Sequence, residues 1–271
     1  MRQSFLLRDT GHVRLCGHRG HCLGAPENTL AAFRAAHELG ATSLEIDTVL
    51  SADRQIVVLH DLLVDRTTDG TGAAKDLTST EIAALDAGTW FDPRFAGEPV
   101  PTLRQTLALA RELDLVLEVE IKEKLDGEGF AAALADELAD PEDLGRVMMI
   151  SFDHAHLKAI KAAIPGIRTG GIVHERFGDP LGVARSADLD QLCIDFSVFD
   201  PEQAEALHAA GISIRCHAYG PRTMEKAARA GLGWEAALAD YLRAGLIDTL
   251  SGDDVGWLRD FTERAAVRCR P

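Results

Sequence analysis

The sequence predicts an α/β fold, a (β/α)8 barrel with a small inserted cap segment after the second strand, and three observations carry that expectation. Apolar runs bounded by Gly, Pro or polar turns alternate with Ala/Leu-rich stretches of helical period, the pattern of βα units. Nine such runs read as strands, and a gap of only seven residues, 49–55, marks one of them as surplus to an eight-stranded barrel. Charged residues cluster where the strands end, the face on which such barrels carry their active sites.

In order, strands are expected at 14–17, 43–48, 56–60, 115–121, 147–151, 169–173, 191–194, 213–217 and 248–251. Helices are expected at 29–39, 103–113, 130–138, 154–163, 201–210, 222–230 and 234–244. Asn28-Thr29 ahead of Leu30-Ala31-Ala32-Phe33 has the form of an N-cap. Pro201 and Pro221 each open a helical stretch, the usual first-turn placement. The stretch 61–101 is rich in Thr, Asp and Gly without a βα rhythm and reads as an insertion capping the barrel mouth. A length of 271 residues suits one large barrel or two ordinary domains. No linker or internal repeat marks a second unit, so residues 1–271 are expected to form one domain.

The surplus strand is located by reach. A parallel crossover needs about a dozen residues or more, so 43–48 and 56–60 must form an antiparallel hairpin. With its turn in Ser51-Ala52-Asp53-Arg54, counting back from a centre near Asp53 sets His60 opposite Ile46, beside Glu45 and Asp47. Eight strands remain, and His18, Glu45, Asp47, Glu120 and His217 fall at C-terminal ends.

A net charge of −15 repels polyanions, which argues against nucleic acid and acidic membrane surfaces as partners. Any anionic substrate then needs local cations or a metal. Hydrophobic residues at 46% supply a sizeable core, and charged residues at 26% are ordinary for a globular chain. Cys16, Cys22, Cys193, Cys216 and Cys269 are odd in number and lack paired C-x-x-C spacing. That argues against a disulfide framework or a structural zinc site and for a reducing compartment. The start, Met1 to Asp9, is broken by charge before any apolar stretch of signal-peptide length, and no run of about 18 apolar residues occurs. A cytoplasmic protein without stable membrane association is expected. Nothing decides between a monomer and a homodimer.

Glu45 and Asp47 are one residue apart, so in a strand both carboxylates point to one face. They read as either solvated strand-end carboxylates or a divalent-cation site, and all-oxygen ligation favours Mg²⁺ or Ca²⁺ over zinc. Glu118 and Glu120 repeat the spacing, with Lys122 following on the same face of a strand that a parallel barrel normally keeps apolar. An ion-paired interior and a functional cluster both fit; Glu120 and Lys122, nearer the mouth, are the better functional candidates. His18 ends the first strand and His60 the hairpin, and imidazole is the side chain matched to giving and taking protons near neutral pH. His12, His37, His154, His156, His174 and His208 fall in loops or helices and read as surface residues.

Taken together, His18-Arg19-Gly20, Pro26-Glu27-Asn28-Thr29-Leu30, Glu45-Ile46-Asp47, Val57-Val58-Leu59-His60-Asp61, Asp65-Arg66-Thr67-Thr68-Asp69-Gly70-Thr71-Gly72, Pro101-Thr102-Leu103, Glu120-Ile121-Lys122 and Ser151-Phe152-Asp153 resemble the glycerophosphodiester phosphodiesterase family. They occur in family order over roughly residues 14 to 153. The resemblance implies a TIM-type barrel with an inserted cap and a divalent cation held by Glu45, Asp47 and Glu120. It implies His18 and His60 as the acid–base pair, with Arg19 and Lys122 contacting phosphate. In such enzymes a glycerol hydroxyl attacks phosphorus while one histidine takes its proton and the other protonates the departing alcohol. Three carboxylates and a divalent cation carry about −1, and a phosphodiester makes that about −2, so Arg19 and Lys122 are needed to offset the charge as it builds. The second half departs from the family. Where a late strand commonly carries Trp-Thr-x-Asn, this chain has Cys216-His217-Ala218-Tyr219, and the closing Thr-Asp-x-Pro becomes Ser251-Gly252-Asp253-Asp254. His217 reads as a rim histidine rather than a contact to the leaving group.

The expected function is metal-dependent hydrolysis of a small-molecule glycerophosphodiester to glycerol 3-phosphate and an alcohol. A phospholipase D-like enzyme acting on lysophospholipid or sphingolipid head groups would keep the fold and site, but no exposed aromatic wedge or amphipathic membrane helix is evident in the sequence. A metal-dependent sugar isomerase also suits an acidic rim with histidines, yet leaves Arg19 and Lys122 unexplained. A non-catalytic binding protein would need neither His18 nor His60.

Overall fold

The computed structural model describes residues 4–269. Met1-Arg2-Gln3, where the stretch read for a signal peptide begins, and Arg270-Pro271 lie outside the described residues. The strands are β1 (Arg14–His18), β2 (Ser43–Leu50), β3 (Ile56–Val58), β4 (Val116–Ile121), β5 (Val147–Ser151), β6 (Arg168–Val173), β7 (Gln191–Asp195), β8 (Ser213–His217) and β9 (Thr249–Gly252). All except β3 run parallel, and β1 pairs with both β2 and β9, closing an eight-stranded barrel. β3 runs antiparallel to the outer end of β2, with Thr48 opposite Val58 and Leu50 opposite Ile56. This is the hairpin that the short gap requires. Its last paired residue is Val58, so His60 lies just beyond the strand rather than at its end.

The helices are α1 (Leu7–Thr10), α2 (Leu30–Glu38), α3 (Ser79–Ala83), α4 (Leu103–Glu112), α5 (Gly127–Glu137), α6 (Pro141–Arg146), α7 (His154–Ala163), α8 (Pro180–Ser186), α9 (Pro201–Ala209), α10 (Pro221–Arg229), α11 (Trp234–Arg243) and α12 (Val255–Arg264). Thr29 caps α2 by accepting from the Ala32 amide, and Thr102 with Gln105 forms a capping box on α4. These caps fix where each helix starts, and so how much chain lies free above each strand. The expectations missed α1, α3, α6, α8 and α12. α1, α3 and α6 have four, five and six residues, and α8 is a seven-residue helix opened by Pro180 behind an Asp179 cap, too short to show a 3.6-residue period.

Phe33 and Phe130 are wholly buried between helices and sheet, each burial stabilising by about 1.5–3 kcal/mol. Inside the barrel Glu118 meets Arg215, Nε to Oε2 3.3 Å, and accepts from Gln191 Nε2 at 3.1 Å. Glu118 is thus a member of an ion-paired interior layer, below the mouth. Phe5 lies between the guanidinium groups of Arg14 and Arg168, at 4.7 and 5.0 Å, on the opposite side from the mouth. The insertion 61–101 turns Val64, Ala74, Ile82, Ala87 and Val100 onto Val49, Val57 and Leu59 of the hairpin, forming a small apolar cluster of its own. Among the described residues no helix is long and apolar enough to cross a membrane.

Candidate active site

Strand register assembles the site. β1 sets His18 beside Glu45 of β2, and β2 sets Asp47 beside Glu120 of β4. The turn after His18 is tight. Arg19 has φ +56° and Gly20 φ +81°, and a Cβ on Gly20 would sit 2.7 Å from the Ala32 carbonyl carbon, so only glycine lets this turn press against α2. The Arg19 amide then bonds the Glu45 carbonyl at 2.9 Å and the Glu45 side chain at 3.1 Å. Beyond β3, Leu59 donates to the Asp47 carbonyl at 3.0 Å, which brings His60 alongside β2 as counting across the hairpin predicts.

Glu45, Asp47 and Glu120 are all buried, and each presents an oxygen within 4.8 Å of the other two. Asp47 faces two cations, Arg19 Nε at 3.1 Å and Lys122 Nζ at 3.2 Å, and accepts from Asn28 Nδ2 at 2.8 Å. Burial would raise the Asp47 carboxyl, but Lys122 and Arg19 outweigh it and hold it below its ordinary value. Lys122 also meets Glu120 at 2.6 Å. Glu45 is different. Burial, then the charge of Asp47, push its carboxyl up to about 7, and its Oε1 is buried without a hydrogen-bond partner among the described residues. An unsatisfied carboxylate oxygen in a three-carboxylate cluster fits a hard divalent cation such as Mg²⁺ or Ca²⁺.

Each of the two histidines is anchored at Nδ1 by a carboxylate. His18 Nδ1 lies 2.7 Å from Asp253, which follows β9 and is carried to His18 by the β1–β9 pairing; its Nε2 lies 3.8 Å from Glu45. Burial would lower the His18 imidazole, but Glu45 and Asp253 raise it overall. His60 Nδ1 lies 2.5 Å from Asp61, which Arg66 grips at 2.7 Å. The Arg66 hydrogen bond, with that of His60, pulls the Asp61 carboxyl down to about 2. Arg66 also meets Glu27 at 2.8 Å, and Glu27 meets Arg19 at 3.0 Å, so one chain of charges runs from the hairpin histidine to the carboxylate cluster.

These residues open into a cleft of about 470 Å³ lined by His18, Arg19, Glu45, His60, Glu120 and Lys122 on one side and by Phe152, His174, Asp195, His217 and Tyr219 on the other. His174, expected as a surface residue, is exposed and also stands at the cleft's edge. It follows β6, lines the cleft, and sits 2.5 Å from Asp195 at the end of β7. His217 also lines the cleft, its ring 5.2 Å from that of His18. Burial, reinforced by His18, pushes it down to about 3, so it stands there as a neutral group. Asp253 was given no role in the site because it sits in a loop after the last strand, where only the barrel's closure joins it to His18. Asp253→Asn is expected to cut kcat by about tenfold or more, since a carboxylate behind an imidazole fixes its tautomer. In the metal-free protein the same substitution should lower the His18 pKa measured by NMR titration; an unchanged pKa and kcat would remove Asp253 from the site.

A model of the Glycerophosphoryl diester phosphodiesterase family matches residues 18–256. A glycerophosphodiester phosphodiesterase of Caldanaerobacter subterraneus subsp. tengcongensis is 35% identical over 198 residues, 73% of this chain and 82% of the relative. An Oleispira antarctica phosphodiesterase, solved in complex with the product sn-glycerol-3-phosphate, is similar with a TM-score of 0.81 at 28% identity, over 96% of this chain and all 100% of the other. A glycerophosphodiester phosphodiesterase from Agrobacterium tumefaciens gives 0.77 at 27% identity, over 94% and 100%.

Proposed function

This chain belongs to the glycerophosphoryl diester phosphodiesterase family of phosphoric diester hydrolases, and from that premise we propose that it performs metal-dependent hydrolysis of a glycerophosphodiester to sn-glycerol 3-phosphate and an alcohol. The product bound in the similar Oleispira antarctica structure supports the glycerol 3-phosphate side of this reading. The observation that carries the mechanism is the pair of imidazoles, each with a carboxylate at Nδ1, lining one cleft with a buried three-carboxylate cluster and two cations.

Glu45, Asp47 and Glu120 would hold a divalent cation, Mg²⁺ or Ca²⁺, which when bound supplies Lewis-acid stabilisation of charge on the phosphoryl oxygens. Arg19 and Lys122 stand against the same carboxylates and offset the charge that the diester adds. Of His18 and His60, one takes the proton of the neighbouring glycerol hydroxyl as its oxygen bonds to phosphorus. The other gives a proton to the alcohol oxygen as the old P–O bond breaks, and water then opens the cyclic phosphate with the proton roles reversed. Asp253 and Asp61 keep both rings in a fixed tautomer. We read 61–101 as an insertion within the same domain, because its apolar residues share a cluster with the hairpin. Its Arg66 steadies Asp61 and Glu27 at the cleft edge.

The test is release of the alcohol from glycerophosphocholine and glycerophosphoglycerol with Mg²⁺, Ca²⁺ or Mn²⁺ present. Activity should vanish with a chelator and return with excess cation. No turnover of either diester with any of the three ions would overturn the proposal.

A further inference from the structure

Two imidazoles bracket one strand at the barrel mouth. In the closed sheet β9 lies between β1 and β8, and the register sets Ser251 beside His217 on one side and beside Cys16, two residues before His18, on the other. Each ring is tied to the end of β9 through Nδ1, His18 by Asp253 at 2.7 Å and His217 by the Ser251 hydroxyl at 3.1 Å. That leaves Nε2 as the nitrogen each ring offers to the cleft that both line. The rings meet edge to face, with centroids 5.2 Å apart and planes at 72°. A second edge contact on His217 comes from Tyr219, 6.1 Å away at 85°, which is itself stacked on Trp234 at 5.7 Å. His217 is therefore fixed in place, yet the acid–base chemistry above gives it no part.

The Ser251 hydroxyl decides where the His217 proton sits. Ser251 is fully buried, and among the described residues His217 Nδ1 is the hydrogen-bond partner of its hydroxyl and no other is found. A proton on Nδ1 would be donated to Oγ and leave the Ser251 O–H without an acceptor and out of reach of water, which buried hydroxyls avoid. When the hydroxyl donates to Nδ1 instead, both groups are satisfied and the ring proton lies on Nε2. Burial, then His18 and Arg215, keep the ring from taking a second proton near neutral pH. Its polar neighbours are engaged elsewhere, the Tyr219 hydroxyl with Ser197 at 3.0 Å and Arg215 with Glu118 at 3.3 Å. From this, and resting on the hydrolase reading above, we propose that His217 is a catalytic hydrogen-bond donor, its Nε2–H bonding a non-bridging phosphoryl oxygen of the diester beside His18. Charge grows on that oxygen as the new bond to phosphorus forms, and a preoriented donor in a site shielded from water stabilises it as it grows. An uncharged donor suits this place, because a second imidazolium would repel the charge that His18 takes up when it accepts a proton. The His217 proton stays on Nε2 throughout, so the transfers written for His18 and His60 are unchanged.

The test combines steady-state kinetics on glycerophosphocholine and glycerophosphoglycerol, for His217→Phe, Ser251→Ala and the double variant, with imidazole ¹⁵N NMR of the wild type, all with the divalent cation present. His217→Phe keeps a ring of similar outline, and with it the edge contacts, but carries no N–H. It should lower kcat and kcat/KM alike by about a hundredfold on both diesters, the scale of one donor to a developing oxyanion, with both limbs of the pH profile unmoved. Ser251→Ala frees the ring proton to sit on either nitrogen; it should cost about tenfold alone and nothing further in the His217→Phe background. The NMR spectrum should show His217 as a neutral ring with its proton on Nε2 across the pH range of activity. A His217→Phe enzyme within about threefold of wild type, a moved limb of its pH profile, or a proton on Nδ1 overturns this inference and leaves the hydrolase reading standing. Should His217→Phe fail to fold, the spectrum and Ser251→Ala decide, and full activity of Ser251→Ala overturns the inference. A wild type that turns over neither diester overturns the hydrolase reading and this inference with it.

Discussion

Replacing His18 or His60 by alanine is expected to lower kcat on glycerophosphocholine by roughly two or more orders of magnitude, the usual scale of a positioned proton-transfer group. KM should change little, because the diester's charge is met by Arg19, Lys122 and the cation rather than by either ring. The two losses should not add. On the proposed mechanism one imidazole accepts a proton in the same step in which the other donates one, so the double variant should fall about as far as the worse single variant. Stability is not at issue, since both side chains are partly exposed, at 26% and 30%, and thermal midpoints should match the wild type. Steady-state kinetics on the three variants decide it: either single variant retaining activity within tenfold of wild type would remove that histidine from the acid–base pair.

Asp47→Asn should cost both activity and stability. The wholly buried carboxylate stands between the Arg19 and Lys122 cations and bonds Asn28, and breaking a buried ion network by removing one partner costs about 3–5 kcal/mol. Denaturant midpoints in the presence of a chelator should fall accordingly. Adding Ca²⁺ or Mg²⁺ to the wild type should raise its midpoint, the unfolding free energy gaining about 2.7 kcal/mol at a hundredfold excess over Kd, and should do little for the variant. Glu120→Gln separates the two effects, because among the described residues the Glu120 carboxylate pairs with the Lys122 cation and no other. It should lose the cation-dependent gain with a smaller loss in the chelated state. An Asp47→Asn protein that is still stabilised by divalent ions would sink the assignment of Asp47 as a ligand.

Much of this arrangement was legible in the sequence, for reasons that differ by element. The hairpin followed from reach alone, because seven residues cannot cross over between parallel strands, and the same count delivered His60 to Asp47. The alternation of Glu118, Glu120 and Lys122 stood out against an apolar strand, though only the structure separates Glu118, paired to Arg215 inside the barrel, from Glu120 at the mouth. What stayed hidden depends on strand pairing: Asp253 reaches His18 because the barrel closes from β9 to β1, and His174 reaches Asp195 because β6 lies beside β7. Neither contact leaves a local pattern, and a histidine in a loop looks the same whether it faces solvent or a cleft. The helices α8 and α12 failed for another reason: a short or mixed stretch buries its apolar face against the sheet without displaying a clean period.

The hairpin has a consequence for how the enzyme fails. His60 and Asp61 hang from β3, which is no stave of the closed barrel and is buttressed instead by the small cluster of Val49, Val57, Leu59, Val64, Ala74, Ile82, Ala87 and Val100. His18 belongs to the barrel proper. On the proposed mechanism the acid–base pair therefore straddles the barrel and a smaller apolar cluster, and the smaller is expected to open while the larger stays shut. Working life is then expected to follow the weaker part: thermal inactivation should precede the loss of helical circular dichroism, and coincident midpoints would show that hairpin and barrel open together.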